Sequence, residues 1–161
     1  MKEFFNKFLK VINAKAHCDI PCGVYEPVIA KIAAKTVLRM MIQLKELKPP
    51  ADVDQNSSFK LYLNEFGRRV SVKEEHAEIC KKELRILWGD FFKEEHLQKY
   101  PDLHNLFWKA MKLASKCKQS IDETLAEDLC QVVDQIAKIF YEVKGDPKRY
   151  EAYLEITEKL F

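Results

Sequence analysis

At 161 residues, with 47% hydrophobic and 32% charged side chains, the chain suits one globular domain large enough to bury a core. The formal charge is +2, but residues 1–16 set Lys2, Lys7, Lys10 and Lys15 against Glu3, so +3 sits there and −1 is left on residues 17–161. That body has no positive excess to hold nucleic acid, and no apolar run approaches membrane-spanning length, so neither partner is expected.

Residues 1–16 pair Phe4, Phe5, Phe8, Val11 and Ile12 with lysines and end in Ala14-Lys15-Ala16, a small-x-small pattern that proteases cut after. Asn6, Lys7 and Lys10 break the apolar part, which makes it a poor secretory signal. The segment reads as a cleavable presequence and the compartment as cytoplasmic; the plainer alternative is a first helix docked on the body. Residues 17–27, "HCDIPCGVYEP", follow. Pro27 is expected to open a helix on which Ile29, Ile32, Ala33, Val37, Met40, Met41 and Leu44 recur at helical spacing, with Pro49-Pro50 as its stop. "ADVDQNSS" is a polar loop. A second helix is predicted from about Phe59 to Trp88, with Gly67 costing it ~1 kcal/mol relative to alanine. "WGDFFKEEHLQKYPD" reads as a bend with a short helical turn. Pro101 opens a third helix through about Cys117, and Ser120 with Glu123 makes a capping box for a fourth. That helix carries Leu125, Leu129, Val132, Val133, Ile136, Phe140 and Val143 on one face and ends at Gly145 and Pro147. A short helix over about Lys148 to Leu160 follows. Four amphipathic helices with mostly short links predict an all-α fold, a four-helix bundle over 17–161 with the segment 17–25 ahead of its first main helix.

Five cysteines are an odd number in a chain that is not cysteine-dense, so a reducing compartment fits better than a disulfide scaffold. Cys80, Cys117 and Cys130 lie on helical patterns and read as small buried hydrophobes. Trp88, Trp108, Phe107 and Phe140 read as core or subunit interface. Cys18 and Cys22 stand apart, beside His17. Cys18-x₃-Cys22 fits half of a zinc site, but His76, His96 and His104 are scattered over different helices and no second cysteine pair exists. A cut after Ala16 changes the donors. The free amine of His17, the amide nitrogen of Cys18 and its thiolate then close two small chelate rings, and the Cys22 thiolate completes a planar N₂S₂ set. That geometry suits Ni(II) or Cu(II). The His17 imidazole is left as an axial donor. Pro21 and Gly23 supply the turn that brings Cys22 back, with Ile20–Pro21 a candidate cis bond. Thiolates and an ionised amide donate strongly, so they bring a 3+ state of nickel into reach. A pair of ordinary thiols, or a reversible disulfide, is the alternative for the two cysteines.

His17-Cys18-Asp19-Ile20-Pro21-Cys22-Gly23-Val24-Tyr25-Glu26-Pro27 resembles the N-terminal nickel hook of the nickel superoxide dismutases. The likeness continues in "ILWGDFFKEEHLQKYPDLHNLFWKA" (86–110) and "IAKIFYEVKG" (136–145). It implies a precursor cut between Ala16 and His17 by a maturation peptidase, and one nickel ion per subunit. The ligands it implies are the His17 amine and imidazole, the Cys18 amide and thiolate, and the Cys22 thiolate. It further implies dismutation of superoxide to dioxygen and hydrogen peroxide by nickel cycling between 2+ and 3+, in a homohexamer of four-helix bundles. Asp19 and Tyr25 match positions that line the approach to nickel and orient small anions or water.

The sequence also departs from the best-known members. Their first-helix glutamate, which orients the axial imidazole, falls here at Ala33. A supporting arginine aligns with His76, a second active-site tyrosine with Phe91, and the link around residues 51–71 is longer. These changes touch the axial geometry and leave the ligands intact. Lys93 is a local cation that could draw in superoxide. A helical module that buffers metal or senses redox state is the competing reading, and it would not need the His17 amine.

Overall fold

The computed structural model describes residues 23–51 and 57–161. Helix α1, Val28–Glu46, starts immediately after Pro27, which is its N-cap and not its first helical residue. Its buried residues include Ala30, Ala33, Ala34, Val37, Met41 and Leu44, the three-and-four spacing of one helical face. The expected stripe was out of phase at its start: Ile29 and Ile32 are 52% and 41% exposed, and the alanines beside them face the core. Alanines let neighbouring helices approach closely, so shape and not hydrophobicity alone selects the inward face.

Helix α2, Ser57–Ile86, runs for 30 residues, and only its second half enters the core, through Lys73, Ala77, Cys80 and Leu84. Of the link around residues 51–71, residues 57–71 are therefore helical. A π-helical turn, Leu87–Phe91, follows, closed by the Phe92 N–H donating to the Leu87 carbonyl at 3.0 Å. The short helix α3 spans Glu94–Lys99, and α4 spans Leu103–Gln119, starting two residues after Pro101. Helix α5, Glu123–Val143, is capped by Asp122, whose carboxylate accepts the Thr124 N–H at 3.0 Å. The expected Ser120–Glu123 capping box does not form. Ser120 is extended and its hydroxyl donates to the Lys116 carbonyl at 3.1 Å, so it closes α4 while the nearer carboxylate opens α5.

Gly145, at φ +78°, ends α5 in a Schellman turn, with Gly145 N–H donating to Glu142 and Asp146 N–H to Tyr141. Helix α6, Lys148–Glu158, then turns back over α5 and α1. Helix α1 packs on α2 and α5, and α4 packs on the same two, which closes the expected four-helix bundle. No helix of the described residues is long and apolar enough to cross a membrane.

Two lysines sit inside this frame, and the sequence pattern did not single out either. Lys31 pairs with Asp134, and Lys73 donates to the carbonyls of Cys117, Lys118 and Ser120 at 2.7, 2.9 and 2.7 Å, tying off the end of α4. Cys80, Cys117 and Cys130 are buried as expected. Burial pushes the Cys117 and Cys130 thiols up to about 11, so they are protonated hydrophobes at neutral pH. Phe107 and Phe140 are core. Trp108 is not: it is 60% exposed, with the Lys112 ammonium 4.3 Å above its ring.

Candidate metal centre

His17, Cys18, Asp19 and Cys22, with the Ile20–Pro21 bond, lie outside the described residues. The chain is described from Gly23 onward, the stretch that directly follows these candidate ligands and that would root a hook. Gly23 takes φ +69°, the left-handed conformation that a turn at this point requires and that glycine adopts without strain. Tyr25 follows. Its ring packs on Phe91 at 5.7 Å between centroids, and Phe91 in turn lies 4.4 Å from Phe140 of α5. The π-helical turn sets Phe91 there by adding a residue to the end of α2 at the place where the chain must meet the hook's root. The Tyr25 carbonyl accepts from Lys144 Nζ at 3.2 Å.

Gly23, Tyr25 and Phe91 line an open cleft of about 370 Å³ with Asp90, Lys93 and Lys144. Its formal balance is two cations against one carboxylate, which favours a small anion. His96 also lines it, with Nδ1 accepting the Lys93 N–H at 3.0 Å at the start of α3. His96 therefore caps a helix. His76 Nδ1 lies 2.9 Å from the Val72 carbonyl one turn back on α2, and the His104 ring packs against Trp88 at 5.2 Å. Ala33 is 1% exposed in the bundle core, and its side chain offers no polar atom.

Glu26 was not singled out by its sequence position, yet it is the most heavily engaged side chain at the root. Tyr141 donates to its Oε2 at 2.7 Å. Its buried Oε1 accepts no aligned hydrogen bond and instead faces the Arg149 guanidinium at 2.6 Å as an ion pair. Burial, and then the Glu26 carboxylate, raise the Tyr141 hydroxyl well above the ordinary tyrosine value, so the phenol stays a donor. These partners come from α5 and α6, more than 100 residues along the chain, and no local pattern reveals them.

Among the described residues, no group of three or more His, Cys, Asp or Glu side chains could hold a metal ion. The His17 imidazole and the Cys18 and Cys22 thiols lie outside those residues, and sulfur and nitrogen donors of these kinds can hold nickel.

The family model of nickel-containing superoxide dismutase matches residues 12–144. The chain belongs to that family. Among curated proteins it is similar to the nickel superoxide dismutase of Streptomyces seoulensis, 35% identical over 137 residues that cover 85% of this chain and 95% of that protein. The enzyme of Streptomyces coelicolor is 34% identical over the same length. Among solved structures, native nickel superoxide dismutase is 34% identical, with 80% of this chain and 99% of that chain covered and a TM-score of 0.65. The structure with nickel ligation of the oxidised state gives 36%, the same coverage and 0.67. Membership makes this chain an oxidoreductase whose metal is nickel. The family match stops at residue 144, so α6 and its Arg149 lie beyond it.

Proposed function

We propose that this chain, once cut between Ala16 and His17, is a superoxide dismutase working at an N-terminal nickel hook. The observation that carries the reading is the family match running through an intact donor set, His17, Cys18 and Cys22, into a described cleft at Gly23 and Tyr25. The ligands are the His17 amine and imidazole, the Cys18 amide and thiolate, and the Cys22 thiolate, one nickel per subunit. Bound nickel supplies a one-electron couple between 2+ and 3+, so two superoxide ions and two protons leave as dioxygen and hydrogen peroxide.

The chain's own residues do the rest. Lys93 and Lys144 raise the local concentration of the superoxide anion at the cleft, which the −1 charge of residues 17–161 does not do for the molecule as a whole. Tyr25 and Asp19 orient the small anion and water beside the hook. Phe91 fills its part of the cleft without a hydroxyl, which leaves Tyr25 as the phenol on that wall. Residues 1–16 are a presequence, 17–161 a single domain, and the compartment the cytoplasm. Assembly is as a homohexamer, for which exposed Trp108, Leu61 and Leu63 offer apolar surface.

The test is a chain beginning at His17, loaded with Ni(II), followed by pulse radiolysis beside the full-length chain. Superoxide decay approaching the diffusion ceiling of about 10⁸–10⁹ M⁻¹s⁻¹ from the cut form alone is expected. Equal rates from both forms would remove the role of the His17 amine. Slow decay from both with nickel bound would leave a metal-holding module in place of the enzyme.

A further inference from the structure

We infer that helix α6 is a clamp on the hook's root, with Arg149 as a positioning residue that fixes residues 23–26 by holding Glu26 against Tyr141. The inference rests on the nickel reading above and goes beyond it, because α6 lies outside the residues the family model matches.

The geometry is a convergence. Arg149 reaches Glu26 Oε1 at 2.6 Å, Tyr141 reaches Oε2 at 2.7 Å, and Lys144 reaches the carbonyl of the preceding Tyr25 at 3.2 Å. Two hydrogen-bond donors, Tyr141 and Lys144, and one ion-pairing guanidinium, from the end of α5 and the start of α6, thus grip Tyr25 and Glu26, which follow Gly23 closely. The Schellman turn at Gly145 makes this possible by folding α6 back toward the start of α1. A second set of contacts keeps α6 in place: Tyr153 donates to Asp134 at 2.8 Å, and Lys31 stands 3.7 Å from Glu158. Arg149 is half-exposed, so its ion pair is a weak source of overall stability. Its effect is local. A carboxylate held on both oxygens cannot swing, and the backbone of Glu26 carries Tyr25 and the chain leading to Cys22. A metal site whose ligands enter from a fixed root loses less freedom on binding than one whose root is loose.

The experiment uses the chain beginning at His17 with Arg149→Met, Arg149→Lys and Tyr141→Phe, and reads two quantities. Backbone ¹⁵N order parameters of residues 23–26 are measured without metal, and Ni(II) alone is then titrated to obtain its dissociation constant. In the unsubstituted chain, 23–26 should behave as rigid backbone, with order parameters near ~0.85; in Arg149→Met they should fall toward ~0.6, the flexible range, and Tyr141→Phe should lower them in the same direction. Nickel affinity should weaken at least about fivefold in Arg149→Met, and Arg149→Lys should recover most of both quantities, since it restores the charge. Order parameters at 23–26 that stay put while those of 148–158 drop would overturn the clamp and leave α6 a surface helix. An unchanged nickel affinity in Arg149→Met, or a failure of Arg149→Lys to recover either quantity, would overturn it as well. If the unsubstituted chain takes up no nickel but 23–26 still loosen in Arg149→Met, the clamp stands and the nickel reading fails.

Discussion

Lys31 sits on α1 with its side chain 2% exposed and its ammonium 2.5 Å from Asp134 of α5. Tyr153 of α6 donates to the other carboxylate oxygen, so one acid is shared by three helices. Removing Lys31 leaves the largely buried Asp134 carboxylate without its cation, with the Tyr153 hydroxyl still donating to it. Lys31→Met should therefore cost about 3–5 kcal/mol in urea unfolding, and adding Asp134→Leu should return at least half of that. A double variant no better than the single would show that the loss does not come from a stranded Asp134 carboxylate. The sequence displayed Lys31 only as a polar intruder between Ile29 and Ile32. Its partner is 103 residues away, and periodicity is silent about which acid a buried lysine will find. Glu26 was hidden in the same manner. The pattern from which the hook is read is local: histidine, two thiols, a proline and a glycine within seven residues, most of them outside the described residues. Tyr25 belongs to the same stretch, and the structure places it on the cleft wall.

Helix α2 divides into two unlike halves. Among its described side chains, those of 57–70 are exposed or half-buried, whereas Ala77, Cys80 and Leu84 are fully buried. Leu84→Ala should cost about 2–5 kcal/mol, read by urea unfolding. A Cβ at Gly67 meets nothing within 4 Å, so Gly67→Ala should raise stability by about 0.5–1 kcal/mol, read as a higher urea midpoint. A lower midpoint would mean that the glycine serves a contact this helix makes elsewhere. Spacing located α5 well, because its inward residues are also its most hydrophobic. It misphased α1, because alanines sit inside where isoleucines were expected. It misassigned the α5 cap, because Asp122 competes for the same N–H groups two residues nearer than Ser120. The π-helical turn had no sequence signal beyond a bend; it answers the packing of Phe91 between Tyr25 and Phe140.

The whole molecule carries a pH signature from its core. The Cys117 and Cys130 thiols titrate at about 11 in the fold and at about 9 when exposed. As pH rises from about 9, the unfolded chain sheds these protons first, the native state holds more of them, and stability falls through about 11. Buried Tyr141 and Tyr153, both raised, extend the loss above the ordinary tyrosine value. Lys73 works the other way: burial lowers it, so its share of stability grows as pH climbs toward 10.5. The urea midpoint should hold steady near neutral pH and fall above about 9. A Cys117→Ala/Cys130→Ala variant should fall less steeply there, by roughly 1–3 kcal/mol per pH unit; an unchanged slope would assign the loss to other groups. A different consequence follows from the reach of Arg149. Glu26 leaves the ribosome 123 residues before Arg149 does, an interval of about 6–25 s at 5–20 residues per second. For all but the last eight residues of that interval, neither Tyr141 nor Arg149 has followed to grip it. An N-terminus cut on the growing chain would meet metal ions with its root unheld, whereas one cut after release would meet them with the root already set. If the proposed cleavage occurs, a root held by Arg149 is available to it only after α6 has been made.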